Sequence, residues 1–179
     1  MANAADVGSS DGAPEIEITE GFRVGDLAAV VQLHSEVYAA EYGLDATFEA
    51  YVAEPLAQFA KARALNGERA GLIWFARTPD GVVGSLALID GGDDVDAIRW
   101  VILIRALRGR GVGRALMQKA IDAAAARGKR SVELWTFDEL KAAIALYEKC
   151  GFQNVERRTV QQWGKTINEV RMRRDLVHI

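Results

Sequence analysis

Several features that assign chains to large functional classes are absent from these 179 residues. Cys150 is the single cysteine, which excludes an internal disulfide and is typical of a reducing compartment. No apolar run reaches the roughly 18 residues of a membrane-spanning helix. The first residues also lack the basic and apolar parts of a signal peptide. We therefore expect a cytoplasmic protein with no membrane partner.

Positive charge is not in excess either. The chain has 22 Lys and Arg against 25 Asp and Glu, a net charge of −3, and its basic residues are not gathered into one long run. Nucleic-acid-binding domains depend on a concentrated cationic surface. We expect no nucleic-acid partner and no bound metal.

Apolar residues, in contrast, are plentiful. They make up 50% of the chain, which is enough for one well-packed domain at this length. Residues 1–14 are small, polar and without periodicity, so we expect a disordered N-terminal tail. No linker or repeat divides the rest of the chain, and residues 15–179 are expected to form a single domain.

The apolar pattern predicts an alternation of strands and helices. Asp26 is expected to cap the first helix and Gly43 to end it, while Pro55 is expected to break or kink the second. Several strand-like runs are apolar on both faces, which favours a sheet covered by helices on both sides. The predicted helices cover 26–42, 47–64, 115–127 and 140–150, and the predicted strands cover 16–18, 70–77, 82–89, 100–104, 131–136, 154–160 and 167–176.

One stretch combines a strand, a glycine-rich turn and the start of a helix. The run Trp100–Ile104 is too short for a helix and rich in β-branched residues, so it predicts a buried strand. Gly109, Gly111 and Gly113 follow before helical spacing resumes. Glycine lets the main chain approach a ligand closely, and unpaired N–H groups at the start of a helix attract anions. The pattern favours a phosphate-binding loop.

Two known phosphate-binding motifs can be compared with this loop. The P-loop string Gly-x-x-x-x-Gly-Lys-Ser/Thr does not occur in the chain. The dinucleotide fingerprint requires a third Gly or Ala where Arg114 stands, although Glu133 lies about 20 residues on, where that fold keeps its ribose-binding acid. A nicotinamide-dinucleotide enzyme stays open as an alternative, but too little sequence remains after the loop for two βαβ halves.

The residues around the loop resemble a known family. Residues 108–113, Arg-Gly-Arg-Gly-Val-Gly, match the Arg/Gln-x-x-Gly-x-Gly/Ala signature of the GNAT superfamily of acyl-CoA-dependent N-acetyltransferases. Residues 143–152 end in Leu-Tyr-x-x-x-Gly-Phe, which is similar to the second hallmark of that superfamily. The Leu-Trp-Thr and Gln-Trp-Gly segments resemble stand-alone relatives of acetyltransferase domains that elsewhere follow a MarR-type domain. The resemblance implies an α/β (α+β) fold with a mixed, mostly antiparallel sheet of about seven strands and about four flanking helices.

The function that this resemblance implies is an acetyl-CoA-dependent N-acetyltransferase in which a primary amine attacks the thioester directly. The pyrophosphate of acetyl-CoA would lie on the glycine loop, and its pantetheine arm would lie along the central strand. The residues expected to bind acetyl-CoA are Val101, Ile102, Leu103, Arg108, Gly109, Arg110, Gly111, Val112, Gly113 and Arg114.

The resemblance also implies catalytic groups. Tyr147 occupies the position at which many relatives have a general acid, and a phenol is still protonated at pH 7. A backbone N–H near Leu103 would stabilise the oxyanion. An alkylammonium of pKa near 10.4 must lose a proton before it attacks, which costs about 4.6 kcal/mol at pH 7. We take Glu133 as the possible base, with Asp96, Glu36 and Glu41 as further candidates.

The region between the first two helices forms one wall of the acceptor site in the family. The candidates for substrate contact there are His34, Glu36, Glu41 and Tyr42, and the large residues that could border the pocket are Trp135 and Trp163. The sequence does not identify the amine, and it is compatible with a monomer or a homodimer.

Two positions depart from the commonest family pattern. Arg105 stands where a proline often precedes the loop, and Leu140 stands where an asparagine often opens the last helix. A polar contact with the cofactor arm is therefore expected to be missing at Leu140. A CoA-binding sensor or interaction module without acceptor chemistry is the second alternative to an enzyme.

Overall fold

The structure, a computed structural model, describes residues 15–92 and 94–176, so the expected tail of residues 1–14 lies outside the described residues. The described residues form seven strands and four α-helices. Their bounds in chain order are β1 Glu17–Glu20, α1 Asp26–Tyr42, α2 Thr47–Asn66, β2 Gly71–Thr78, β3 Gly81–Asp90, β4 Val95–Leu103, α3 Val112–Ala126, β5 Ser131–Phe137, α4 Lys141–Lys149, β6 Gln153–Gln162 and β7 Lys165–Asp175.

All seven strands belong to one sheet in the order β1-β2-β3-β4-β5-β7-β6. Among the described strands, β4 and β5 form the one parallel pair, and the remaining neighbours are antiparallel. The expected mixed, mostly antiparallel sheet with four flanking helices is confirmed. A doubly wound nicotinamide-binding fold has a mostly parallel sheet, so this architecture differs from that alternative.

Each face of the sheet carries its own hydrophobic core. Helices α3 and α4 bury one core, in which Leu116 and Met117 pack against strand residues such as Leu134. Helices α1 and α2 bury the other, in which Val30 and Leu56 lie fully buried. Coverage of both faces explains why the central strands are apolar on both sides.

Two local predictions need correction. Asp26 does not cap α1, because Gly25 is the N-cap and the Asp26 carboxylate instead pairs with Arg77 at 2.6 and 2.9 Å. Of the two outcomes expected at Pro55, a break does not occur, because the second helix is continuous from Thr47 to Asn66. Its buried residues recur at helical spacing on both sides of the proline, so tertiary packing maintains the helix through it. They are Phe48, Val52, Leu56 and Phe59.

Strand β4 is longer than predicted and contains a β-bulge. Ser85 pairs with Ile102 and Ala87 pairs with Arg99, so one residue of β3 lies opposite two residues of β4. At the bulge Trp100 has a φ of 49°, a backbone conformation that large L-residues rarely adopt. The hydroxyl of Ser85 donates a hydrogen bond to the Trp100 carbonyl at 2.8 Å, which satisfies a group that the irregular ladder leaves free.

Strands β4 and β5 stop pairing just before the bulge. They pair from Val95–Ser131 to Ile98–Leu134, and neither strand pairs with the other beyond that point. Bulges bend their strand and increase its twist, which explains why the pairing stops at this level. The result is an opening in the sheet between the C-terminal halves of two neighbouring parallel strands.

Candidate active site

The glycine loop lies directly after β4 and forms the start of α3. Gly109 and Gly111 have φ values of 76° and 83°, and Gly111 is the N-cap of the helix. Within the part of the chain that the structure describes, the amide groups of residues 109–114 donate to no backbone carbonyl. Six free N–H groups at the positive end of a 15-residue helix provide the electrostatics that an anionic pyrophosphate requires. The loop therefore has the features of an anion-binding site.

Arg108 holds this loop in place. Its guanidinium donates to both carboxylate oxygens of Glu41 in the last turn of α1, at 2.6 and 2.8 Å, and its Nε donates to the Leu103 carbonyl at 3.1 Å. The hydrogen bond from Arg108 lowers the pKa of Glu41 below its usual value. The Arg108 side chain is therefore engaged with the protein itself, and it supports the loop from behind.

Two further arginines of the loop have no such partner. Arg110 and Arg114 are exposed, and neither forms an ion pair with any described residue. They are available to add positive charge beside the six amides. Gly113 packs closely on α4, since a Cβ at this position would lie 3.1 Å from Leu146.

The opening between β4 and β5 continues into a cleft that contains side chains from both cores. Val101 of β4 and Tyr147 of α4 line it from one side of the sheet, and Tyr38 of α1 lines it from the other. Tyr147 is 5% exposed, and burial raises its pKa well above the usual value, so the phenol stays protonated. Burial raises the pKa of Tyr38 in the same direction.

Aromatic rings form most of the wall on the side of α1 and α2. Phe48 meets Trp163 edge-on at 5.0 Å between ring centroids, and Tyr51 lies 4.7 Å from the same indole. Trp135 and Trp163 both line the cleft, as proposed for them from sequence. The aromatic residues of the cleft are Tyr38, Phe48, Tyr51, Trp100, Trp135, Phe137, Tyr147 and Trp163.

Charged groups are few in this lining. Glu169 of β7 is the one carboxylate among the described lining residues, and it accepts a hydrogen bond from Arg158 Nε at 2.6 Å. Arg99 is the one Lys or Arg side chain of the same described lining. Thr136 is 7% exposed, and its hydroxyl has no hydrogen-bond partner within residues 15–92 and 94–176. The cleft therefore combines an acid, a permanent cation and an unsatisfied hydroxyl.

Sequence reasoning missed Glu169. The alternation of Ile167, Glu169 and Arg171 indicates that these three side chains share one face of β7. The sequence does not say which neighbour that face meets. The structure pairs Glu169 with Phe137, a cleft residue, across the β5–β7 ladder.

The carboxylates named from sequence lie elsewhere. Glu133 lies between Arg171 at 3.3 Å and Arg173 at 3.4 Å and is not part of the cleft lining. Asp96 is fully buried at the other end of β4, where it pairs with Arg127 at 2.9 Å and with Lys129 at 3.5 Å. Burial raises the pKa of Asp96 despite these cations. Neither Glu133 nor Asp96 belongs to the cleft lining that contains Tyr147.

Of the four residues proposed for the acceptor wall, one lines the cleft. His34 is 4% exposed, its Nδ1 donates to the Val30 carbonyl at 2.8 Å, and burial lowers its pKa to about 4. Glu36 is exposed and accepts from Gln32. Glu41 binds Arg108, and Tyr42 packs edge-on against Phe137 at 5.6 Å from outside the lining. Because its pKa is about 4, His34 is neutral at physiological pH.

The remaining cleft residue named from sequence is Leu140. Leu140 is buried in the cleft lining and provides no side-chain cap for α4, as expected from its apolar side chain. Within the described ranges, no three His, Cys, Asp or Glu side chains are grouped as metal ligands would be. The described helices also include none that combines the length and apolar character of a membrane span.

The chain is also similar to known proteins. Two curated relatives are similar to the chain: the uncharacterized N-acetyltransferase YjgM of Escherichia coli, 28% identical over 92% of this chain and 98% of its own, and the uncharacterized N-acetyltransferase MJ1207 of Methanocaldococcus jannaschii. The latter is 39% identical over 77 residues, which are 43% of this chain and 33% of the archaeal protein. The match thus spans only a third of that relative.

A solved structure shares the fold over most of the chain. It is the Salmonella typhimurium protein yncA with its cofactor acetyl-CoA, at a TM-score of 0.71 and 19% identity, covering 91% of this chain and 96% of that one. At the level of sequence, the profile of the acetyltransferase (GNAT) family matches residues 29–152, which include most of α1, the glycine loop and Tyr147. The chain therefore belongs to the acetyltransferase (GNAT) family.

Proposed function

We propose that this protein is an acetyl-CoA-dependent N-acetyltransferase that acetylates a primary amine by direct attack on the thioester. One observation carries the proposal: the unpaired edge of β4 leads from the glycine loop, at Leu103, to the cleft, at Val101. A pantetheine arm can form strand-like hydrogen bonds along such an edge. Family membership and the acetyl-CoA-bound relative of the same fold support it.

The cofactor-binding roles follow from the free groups at each end of this edge. The amides of residues 109–114 hold the pyrophosphate, and Arg110 and Arg114 add charge from solvent. The main chain of residues 101–103 holds the arm, while Arg108 positions the loop through Glu41. Bound acetyl-CoA supplies the acetyl thioester that the amine attacks.

The protons are handled by two groups of the cleft. The Glu169 carboxylate attracts the incoming ammonium and accepts its proton, because it is the only acid among the described lining residues. As the C–N bond forms and the C–S bond breaks, Tyr147 donates its hydroxyl proton to the departing sulfur, and its raised pKa keeps that proton in place until then. The amide nitrogen then loses its second proton, which restores the phenol. His34 is a poor base, since its pKa of about 4 means that it binds a proton weakly.

The test is calorimetry on the purified full chain with acetyl-CoA, CoA and NADH, followed by assays of thiol release with a panel of amines. We expect heat with both CoA species, none with NADH, and amine-dependent thiol release. A matched pair of variants checks the location. Gly111→Asp adds a side chain and a negative charge inside the loop, whereas Gly128→Asp does so at the far end of α3 with a similar φ of 73°.

Three results would contradict parts of the proposal. Absence of heat with any acyl-CoA would overturn it entirely. Binding of acetyl-CoA without thiol release across the panel would favour a CoA-binding sensor or interaction module. Equal loss of acetyl-CoA affinity in the two glycine variants would place the binding site away from residues 109–114.

A further inference from the structure

Arg99 is a half-buried cation with no carboxylate partner among the described residues. Its guanidinium lies over two aromatic rings, 5.2 Å from the centroid of Trp100 and 6.0 Å from that of Tyr51. Two other half-buried arginines are each paired with a buried aspartate: Arg77 with Asp26 at 2.6 Å and Arg127 with Asp96 at 2.9 Å. Arg99 thus differs from them in carrying a charge that the described part of the protein does not neutralise.

The bulge in β4 is what directs Arg99 into the cleft. Ala87, the residue paired with Arg99, belongs to the core under α1 and α2, and so does Trp100. Directly paired residues of two strands lie on the same face. Arg99 and Trp100 are therefore consecutive residues on one face, which a regular strand does not permit. Both line the cleft beneath Tyr51.

The position of Arg99 favours an anion over a second cation. A guanidinium that is partly removed from water loses hydration, and a carboxylate restores it through two parallel hydrogen bonds. Two aromatic rings lie beside the guanidinium, and no described side chain forms an ion pair with it. A polycationic acceptor would be repelled by the same charge.

The same lining also contains a carboxylate. Glu169 on β7 lines the cleft from the side of Phe137, is 7% exposed and pairs with the exposed Arg158 at 2.6 Å. One strand, β5, lies between its strand and that of Arg99. The two charged side chains thus belong to different strands of the lining, which also includes the aromatic rings of Phe48 and Trp163.

The cavity is small. Its volume is about 130 Å³, which is close to the roughly 150 Å³ of an apolar cavity that accepts benzene. A ring or a branched aliphatic side chain fits this volume, whereas a folded protein surface does not.

We propose that the acceptor is a zwitterionic amine, with one ammonium group for Glu169, one carboxylate for Arg99 and an aromatic or large aliphatic side chain for the rings. A free hydrophobic amino acid has this chemistry. The inference rests on the proposed function, and it adds Arg99 as the residue that selects the carboxylate.

The test compares three amino acids with the amines that lack their carboxylate: phenylalanine with phenylethylamine, tryptophan with tryptamine, and leucine with 3-methylbutylamine. Both kcat/KM and binding to the CoA-bound protein by calorimetry are measured, so one readout does not depend on turnover. We expect at least one carboxylate to be preferred by about tenfold or more, as a charged hydrogen-bonded pair provides. Phenylalanine amide distinguishes a free amino acid from a peptide N-terminus and should behave like the decarboxylated amines.

The variant Arg99→Gln should abolish this preference and leave the acetyl-CoA affinity unchanged, while Arg99→Lys should keep part of it. Arg130→Gln is the control, since Arg130 is an exposed arginine paired with Asp94. The inference is overturned if no carboxylate is preferred, which includes the case in which all six compounds react alike and the case in which none binds. It is also overturned if the preference persists in Arg99→Gln. Acetyl-CoA binding separates the two proposals: its presence with no carboxylate preference overturns this inference alone, and its absence overturns both.

Discussion

Arg108 and Glu41 form a two-point ion pair that joins the end of α1 to the glycine loop, with Nη1–Oε2 at 2.6 Å and Nη2–Oε1 at 2.8 Å. The same guanidinium reaches the carbonyl of Leu103 at the end of β4. One side chain therefore fixes the relative position of a cleft helix, the unpaired strand edge and the anion-binding loop. Arg108, the first residue of the family signature, thus holds the loop in position.

The first prediction concerns this pair. Arg108→Lys keeps the charge but cannot form the planar two-point contact. The side chains are 32% and 22% exposed, so we expect a loss of about 1 kcal/mol in stability and a severalfold increase in the Kd for acetyl-CoA. Chemical denaturation and calorimetry measure the two effects. Wild-type affinity in both Arg108→Lys and Glu41→Gln would show that the loop does not depend on the pair.

The second prediction concerns backbone conformation in the loop. Gly111→Ala forces an L-residue to a φ of 83°, with no atom within 4 Å of the new Cβ, which costs roughly 1–3 kcal/mol. Gly128→Ala at the end of α3 has the same open surroundings at 73° and is the matched control. Both variants should lower Tm similarly, and only Gly111→Ala should also weaken acetyl-CoA binding. Equal acetyl-CoA affinity in the two would contradict a role for this loop in binding.

The third prediction assigns Tyr147 to chemistry. Tyr147→Phe removes the proton donor and retains the ring that packs 6.3 Å from Phe152. We expect kcat to fall by about 100-fold or more, with the Kd for acetyl-CoA nearly unchanged. Steady-state kinetics and calorimetry separate the two effects. An unchanged kcat would mean that the phenol only packs against neighbouring groups.

The fourth prediction distinguishes two carboxylates. Glu169→Gln keeps an oxygen that Arg158 can donate to but removes the charge, so kcat/KM for the amine should fall by about 100-fold. Glu156→Gln is the control, because Glu156 pairs with Arg171 at 2.9 Å away from the cleft lining. The acetyl-CoA Kd should be unaffected in both. A comparable loss in Glu133→Gln, with Glu169→Gln fully active, would favour the base expected from sequence.

The fifth prediction concerns the buried imidazole of His34. Its pKa is about 4 in the folded protein, against an ordinary value of 6.5, so the unfolded chain binds more protons at intermediate pH. The stabilising contribution is therefore complete above pH 6.5 and is lost as the pH falls toward 4, by up to about 3 kcal/mol. Denaturation of wild type and His34→Gln across pH 4–7 should give a flatter profile for the variant. Parallel profiles would contradict the assignment.

Sequence patterns predicted much of this fold, and the physical reasons can be seen in individual elements. Strong local signals marked the helix that Gly43 ends and the two runs that form β2 and β3. The family signature identified the loop that the structure equips with free amides. These features depend on residues that are close together in the chain, so the sequence alone predicts them.

Features that depend on long-range packing were not predictable. No glycine or proline marks the bulge at Trp100 in the sequence. The bulge places Arg99 and Trp100 on the same face of the sheet. The cleft position of Glu169 depends on the pairing of β7 with β5. Glu133 has the same local appearance as Glu169, with alternating neighbours in a strand, yet it lies among arginines.

The irregularity of β4 also bears on attempts to stabilise this protein. Deleting Trp100 would let the strand match β3 without interruption, because Ile102 already lies opposite Ser85 and would stay there. Such a variant would gain a regular ladder but lose the Trp100 ring, which stacks on Phe59 and lies 5.2 Å from the Arg99 guanidinium. Thermostabilising redesign should therefore be directed to the helices and the outer strands, and the imperfect ladder should be retained.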